Sequence, residues 1–146
     1  KEIKGNKAYY DQEKQYFEIQ GDVTMKFENL EWMLDDQTRK GVTSDDISKG
    51  MKQGTAIQSD KAVFNGAEGK TTFIGDVLVE QSDKQIRCNK LVYNDENIIA
   101  NCYGNVKVVK QNQDTLYCEN LEINIKKEEF IAKNGVYTEF NINKTK

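Results

Sequence analysis

Cysteines and carboxylates are the side chains through which this sequence could do chemistry, because its 146 residues include no histidine. The lack of histidine excludes Ser-His and Cys-His nucleophilic catalysis and any metal site that uses imidazole. Cys88, Cys102 and Cys118 form no CxxC motif, so they make a poor metal site. We interpret all three as small buried apolar side chains, with a Cys88–Cys118 disulfide as the alternative.

The paired carboxylates also lack a catalytic setting. Asp35-Asp36 and Asp45-Asp46 stand in polar segments that are typical of turns, whereas catalytic pairs need surroundings that separate their two pKa values. No DxDxDG spacing supports a calcium site. A carbohydrate-active enzyme would need two inward-facing carboxylates in a cleft, and strand alternation turns almost all of them outward. We therefore predict that the protein is not an enzyme and holds neither metal nor cofactor.

Composition favours a single domain of thin β-layers that spans residues 1–146. Hydrophobic residues make up 37% of the chain and aromatic residues 10%, which fits antiparallel strands with one solvated face. The net charge of -3 arises from basic and acidic residues mixed along the whole chain, so we expect no nucleic-acid partner. The sequence begins at Lys1 and contains no long apolar run, and we expect any membrane anchor to precede it.

A short pattern recurs five times along the chain. Two apolar or small residues stand two positions apart, and two polar residues follow. Two further apolar or small residues then stand two positions apart. The copies are Ile3, Gly5, Ala8 and Tyr10; Met25, Phe27, Leu30 and Trp32; Ile57, Ser59, Ala62 and Phe64; Ile86, Cys88, Leu91 and Tyr93; and Leu116, Cys118, Leu121 and Ile123. A spacing of roughly thirty residues corresponds to one two-strand unit, so the sequence predicts about five stacked units.

Each copy slips by one residue in its alternation, which in a straight strand would turn all later side chains to the opposite face. We interpret the slip as an extra residue at a β-bulge or sheet corner. A second mark recurs at Gly21-Asp22-Val23, Gly75-Asp76-Val77 and Gly104-Asn105-Val106, with Asn134-Gly135-Val136 as a degraded copy. Glycine inside a strand indicates another bend or a close backbone approach. The sequence therefore predicts an all-β fold of about ten strands in two sheets over a continuous apolar interior.

These repeated strands resemble a known family. The segments "SDKAVFN", "CNKLVYND" and "CENLEIN", followed by "FIGDVLVEQ", "CYGNVKVVKQ" and "KNGVYTEF", are similar to the periplasmic lipopolysaccharide-transport domains of the OstA-like family, which includes LptA and LptC. The segment "LEWMLDDQTRKGVTSDD" followed by "GTAIQSDKAVFN" is more similar to LptC. An LptA-like bridge component is the alternative.

The resemblance implies an open, twisted β-jellyroll that binds the acyl chains of lipopolysaccharide in its interior. It also implies head-to-tail stacking of similar domains into a bridge across the periplasm, fed by an inner-membrane transporter complex. An LptC-like protein would be tethered to the inner membrane by a helix that precedes this chain.

A stripe of apolar side chains is predicted to line the interior. A closed sandwich would use these side chains only as a packed core, in a structural or adhesive protein that binds nothing. In an open groove they would receive acyl chains, with about 0.8 kcal/mol contributed by each buried methylene. The resemblance favours a core in the middle and a lipid-lined opening. The predicted interior residues are Tyr10, Phe17, Ile19, Trp32, Phe64, Phe73 and Tyr93.

The last predicted strand, residues 136–142, is an edge strand with few features that would block pairing with another strand. It contains no proline and a single charge, Glu139, so it invites strand addition by another chain. We expect this edge to pair with the N-terminal strand of a similar domain. A tail that folds back on its own sheet is the alternative. The predicted docking residues are Val136, Tyr137, Thr138, Glu139 and Phe140.

Overall fold

The strands of this protein follow one another with short connections. The computed structural model describes residues 2–27, 55–81, 84–94, 96–97, 99–110, 114–124 and 129–140. The strands are β1 (Glu2–Lys4), β2 (Lys7–Asp11), β3 (Tyr16–Phe27), β4 (Thr55–Asn65), β5 (Lys70–Gln81), β6 (Lys84–Asn94), β7 (Ile99–Lys110), β8 (Thr115–Asn124), β9 (Glu129–Lys133) and β10 (Tyr137–Glu139).

All these strands belong to one antiparallel sheet, in the order β1-β3-β4-β5-β6-β7-β8-β10. Strand β2 also pairs with β3, and β9 also pairs with β8. The predicted all-β class is confirmed, and the ranges described contain no helix, so none of them holds a helix able to cross a membrane. One hydrogen-bonded ladder runs through every strand, so the two expected sheets are joined into a single folded sheet.

The sheet bends along a line of corners where the register of neighbouring strands shifts. Gln20 pairs with Lys61 and Val23 with Ser59, so two residues of β3 lie opposite a single residue of β4. The same shift occurs between β5 and β6 and between β7 and β8. The two unmatched residues, Gly21 and Asp22 in β3, have φ values of 84° and 46°. Left-handed backbone at both positions turns the strand sharply.

This geometry corrects the interpretation of the slip. The extra residue lies in the glycine-bearing strand, whereas the slipped strand takes the shorter path around the same corner. The two sequence marks are therefore the two sides of one bend. The predicted close approach is confirmed at Gly75, where an added Cβ would lie 2.9 Å from the Cβ of Asp60. At Gly135 no neighbour lies within 4 Å, so the close approach does not extend to the degraded copy.

The corners divide the sheet into two limbs. The first limb contains β1, residues 23–27, 55–59, 77–81, 84–88, 106–110 and 115–118, and β10. The second limb contains β2, residues 16–20, 61–65, 70–74, 90–94, 99–103 and 120–124, and β9. Apolar side chains on the inner faces of both limbs form one buried cluster. The two expected sheets thus exist only as two limbs of one folded sheet.

Cross-strand rows of side chains build this core. On the first limb Met25, Ile57, Val79, Ile86 and Val108 are successive register partners. On the second limb the corresponding row is Ile19, Ala62, Phe73, Leu91, Cys102 and Leu121. All the residues of both rows are buried, so the middle of the molecule is closely packed.

The sequence repeats map onto these elements with one gap. The first copy is a strand broken at its slip into β1 and β2, and both pieces pair with β3. The copy that starts at Met25 begins in β3, and its polar pair lies outside the described residues. The other three copies are β4, β6 and β8.

Candidate functional site

An apolar cavity opens between the two limbs at the β7–β10 end of the sheet. Its volume is about 250 Å³. Val108 and Leu116 line it from the first limb, while Leu121, Phe130 and Ala132 line it from the second. Phe130 is 45% exposed, so the cavity reaches solvent. Its volume is just below the ~300–1,000 Å³ of typical small-molecule sites, which suits part of an acyl chain.

Two lysines continue the inner face at this end. Lys84 and Lys110 are register partners at neighbouring strand ends, and each follows the alternation of the buried residues Ile86 and Val108. The Lys84 Nζ lies 5.9 Å from the centroid of the Phe130 ring, which belongs to the opposite limb. A cation at this distance from an aromatic face is attracted to it. The contact therefore links the two limbs beside the cavity.

The rim of the cavity is polar where the floor is apolar. The backbone N–H of Lys110 donates to the carbonyl oxygen of Asp114 at 3.0 Å, and both residues line the cavity with Thr115. Long lysine side chains can keep their amines in water while their stems cover apolar surface. The arrangement suits an amphiphile that places an apolar chain between the limbs and an anionic group near the lysines.

Four of the predicted interior aromatics form a chain at the other end of the second limb. The ring centroids are 6.4 Å apart for Tyr10 and Phe17, 5.7 Å for Phe17 and Phe64, and 6.5 Å for Phe64 and Phe73. These separations are those of packed aromatic pairs. Tyr10 lies on the inner face but is 64% exposed, because only β3 covers β2. Tyr10 therefore forms a partly open end of the stripe, and its contact with lipid stays a prediction.

The remaining predicted interior residues divide into core and undescribed positions. Ile19, Phe73 and Tyr93 are buried in the common core, so a ligand would reach them only if the limbs separated. Their contact with lipid stays a prediction. Trp32 lies outside the described residues.

The predicted docking edge adjoins the cavity. The strand β10 covers only three residues and pairs with β8 through Tyr137 and Tyr117, whose ring centroids are 5.8 Å apart. Thr138 and Phe140 line the cavity, and all residues from 136 to 140 are exposed. Residues 141 and 142 of the predicted strand lie outside the described ranges. The edge and the cavity therefore share side chains.

Sequence reasoning missed the residues at the cavity mouth. Lys84, Lys110 and Phe130 were not predicted as site residues, since polarity places lysine on the outer face of a strand. The strand alternation could have indicated the two lysines, because residues two apart share a face. Lys84 stands two residues before the inward Ile86, and Lys110 two residues after the inward Val108.

The three cysteines are free and buried, so their interpretation as apolar core residues is confirmed. A hydrogen bond with the Cys88 thiol and burial together hold the pKa of Cys102 well above its ordinary value. Burial also raises the pKa of Cys118. Cys102 and Cys118 therefore resist ionisation and are poor nucleophiles and poor metal ligands, whereas the hydrogen bond with Cys102 lowers the pKa of Cys88. The part of the chain that the structure describes contains no cluster of metal-ligating side chains.

Comparisons with known proteins show which fold this is. No protein-family model and no curated protein sequence matches the chain. Among solved structures, it is similar to LptH from Pseudomonas aeruginosa, described as the LptA-homologous periplasmic component of the conserved lipopolysaccharide transport device. The TM-score is 0.67 at 12% sequence identity, over 96% of this chain and 94% of that one. The chain therefore has the open, jellyroll-like β-fold of LptH.

Proposed function

We propose that this protein is a non-enzymatic module that binds the acyl chains of lipopolysaccharide between its limbs and passes them along a periplasmic bridge. The observation that carries the proposal is the apolar cavity with a lysine rim, open at one end of the sheet. The fold shared with LptH supports it. Each methylene that leaves water for such a cavity contributes about 0.8 kcal/mol.

The test compares intact lipopolysaccharide with the same material after removal of its acyl chains. We expect the purified protein to bind the intact molecule and to lose most of its affinity for the deacylated one, because the cavity wall is apolar. Equal affinity for both forms would overturn the proposal. Failure to bind either form would favour the alternative of a structural protein with a closed core.

We also propose that the exposed residues 136–140 dock a second domain of the same fold. The strand β10 is short, lies at the edge of the sheet and borders the cavity, so strand addition there would extend the interior groove into the partner. This placement fits either an LptA-like bridge component or an LptC-like domain that receives lipid from an inner-membrane transporter complex. A periplasmic location and, for the LptC-like case, an N-terminal membrane tether belong to the same proposal.

Proline substitution tests the docking edge. Tyr137→Pro with Thr138→Pro removes two backbone donors from β10, and we expect the folded variant to lose binding to a second domain of this fold. The control is Glu13→Pro in the turn between β2 and β3, because proline is favoured at the second position of such a turn. Unchanged binding by the double variant would show that β10 is not the docking edge.

A further inference from the structure

The chain contains two Asn-Gly sequences, Asn65-Gly66 and Asn134-Gly135. The two pairs differ in their hydrogen bonds and in their place in the sheet. In an Asn-Gly pair, the glycine backbone nitrogen can attack the Cγ of the asparagine side chain. A C–N bond then forms, ammonia leaves, and water opens the resulting succinimide to aspartate or isoaspartate. The reaction needs a glycine nitrogen that is free to turn towards the asparagine side chain.

Asn65-Gly66 is held against this reaction. The Gly66 N–H donates to the carbonyl oxygen of Gln15 at 2.8 Å. The Asn65 Oδ1 accepts from the backbone N–H of Glu68 at 3.0 Å. Asn65 is also the last residue of β4 and is paired on both sides, with Tyr16 and Lys70. Attack would break both hydrogen bonds and the end of the ladder.

Asn134-Gly135 has none of these restraints. The pair joins β9 to β10, and both residues are exposed. Within the ranges described, neither the Gly135 N–H nor the Asn134 side chain has a hydrogen-bond partner. A Cβ added at Gly135 would meet nothing within 4 Å, so no packed neighbour restrains the chain at this glycine. In the part of the chain that the structure describes, one hydrogen bond holds the pair: the Asn134 carbonyl oxygen accepts from the Glu119 N–H at 2.9 Å.

We propose that Asn134 is a site of spontaneous deamidation in the folded protein, with Gly135 supplying the attacking nitrogen. The product carries one additional negative charge opposite Glu119. Isoaspartate also lengthens the main chain by one carbon between β9 and β10, which disturbs the pairing of β10 with β8.

The experiment follows both asparagines by peptide mass spectrometry while the folded protein is kept at mildly alkaline pH. We expect Asn134 to gain one mass unit at least an order of magnitude faster than Asn65, with isoaspartate among the products. Conversion of Asn65 at an equal or higher rate would overturn the proposal, as would an unchanged Asn134.

Two controls tie the result to the structure. In concentrated urea the two sites should react at similar rates, because both asparagines precede glycine and neither is then restrained. A difference that persists in urea would show that the fold does not govern the reaction. Gly135→Ala should slow the conversion of Asn134, since a Cβ hinders attack by the backbone nitrogen, and an unchanged rate would contradict the assigned nucleophile.

Discussion

At the scale of single residues, the corner glycines adopt a backbone conformation that other residues tolerate poorly, and the loss of stability on substitution can be measured. Gly75 has a φ of 87°, and an added Cβ would lie 2.9 Å from the Cβ of Asp60. We expect Gly75→Ala to lower the free energy of unfolding by about 1–3 kcal/mol, because left-handed backbone and a steric clash both oppose the new side chain. Urea denaturation measures the change.

The matched control for this substitution is Gly135→Ala. Gly135 has a φ of 64° but no neighbour within 4 Å, so only the backbone term remains and the cost should be about 1 kcal/mol. Equal losses of stability at the two positions would contradict the role assigned to close packing at the corner.

A second prediction at this scale concerns a carboxylate on the outer face. The Tyr16 hydroxyl donates to the Glu18 Oε1 at 2.5 Å, the Gln20 side-chain amide donates to its other oxygen, and the Lys61 Nζ lies 3.4 Å away. These contacts, with the Tyr16 hydroxyl first, hold the pKa of Glu18 below its ordinary value. Their contribution to stability is therefore present above the pKa of Glu18 in the unfolded chain. It is lost as the pH falls through the lower pKa of the folded state.

Tyr16→Phe removes the largest of these contributions. We expect the pKa of Glu18 to rise towards its ordinary value, and the side-chain carboxyl resonance of Glu18 reports it in an NMR titration. Tyr9→Phe serves as the control, because the Tyr9 hydroxyl donates to Asp11 and not to Glu18. A Glu18 pKa that does not change in Tyr16→Phe would contradict this assignment.

At the scale of elements, the ends of β6 and β7 form the polar mouth of the cavity. We expect Lys84→Gln with Lys110→Gln to lower the affinity for phosphorylated lipopolysaccharide by about tenfold or more, equivalent to ~1.4 kcal/mol. The loss should shrink as salt is added, since added ions screen exposed charges. Binding measured across a salt series checks both statements.

The outer-face variant Lys26→Gln is the control for the two lysines. Lys26 follows the buried Met25 and is exposed, so its loss changes the net charge without touching the cavity. A similar loss of affinity in Lys26→Gln would show that net charge, and not the position of the lysines at the mouth, governs binding.

Strand positions were the most predictable elements, because alternation depends only on which side chains leave water. The buried residues Ile57, Phe73 and Leu91 all follow the predicted parity. The alternation of apolar and polar residues does not show whether strands stay hydrogen-bonded to their neighbours on both sides of a corner. One folded sheet was therefore interpreted as two. Alternation also does not say which of two neighbouring strands holds the extra residue, because Gly75-Asp76 and the slip at Asn89 look like separate events along the chain.

The candidate site was less predictable than the fold. A lysine normally faces solvent, and Lys84 and Lys110 face inward only because the limbs end there and the interior meets water. Phe130 belongs to the site because the sheet folds β9 over β6, a long-range contact that no local pattern encodes.

At the scale of the whole molecule, one folded sheet creates a packed middle and an open end. The residues of the two core rows are all buried, whereas the cavity at the β7–β10 end borders the exposed edge strand. A groove that opens beside an exposed edge strand can continue into a partner that pairs with that strand. We therefore propose that lipid enters between the limbs and does not adhere to the outer face of the sheet.

Photo-crosslinking at Phe130 and Ile131 tests this claim most directly. The two residues are neighbours in β9 with similar exposure, 45% and 42%, but Phe130 lines the cavity and Ile131 points to the opposite face. A photoreactive amino acid at each position is irradiated with bound lipopolysaccharide. We expect strong capture of lipopolysaccharide from position 130 and little from position 131. Equal capture at both positions, or stronger capture at 131, would contradict it.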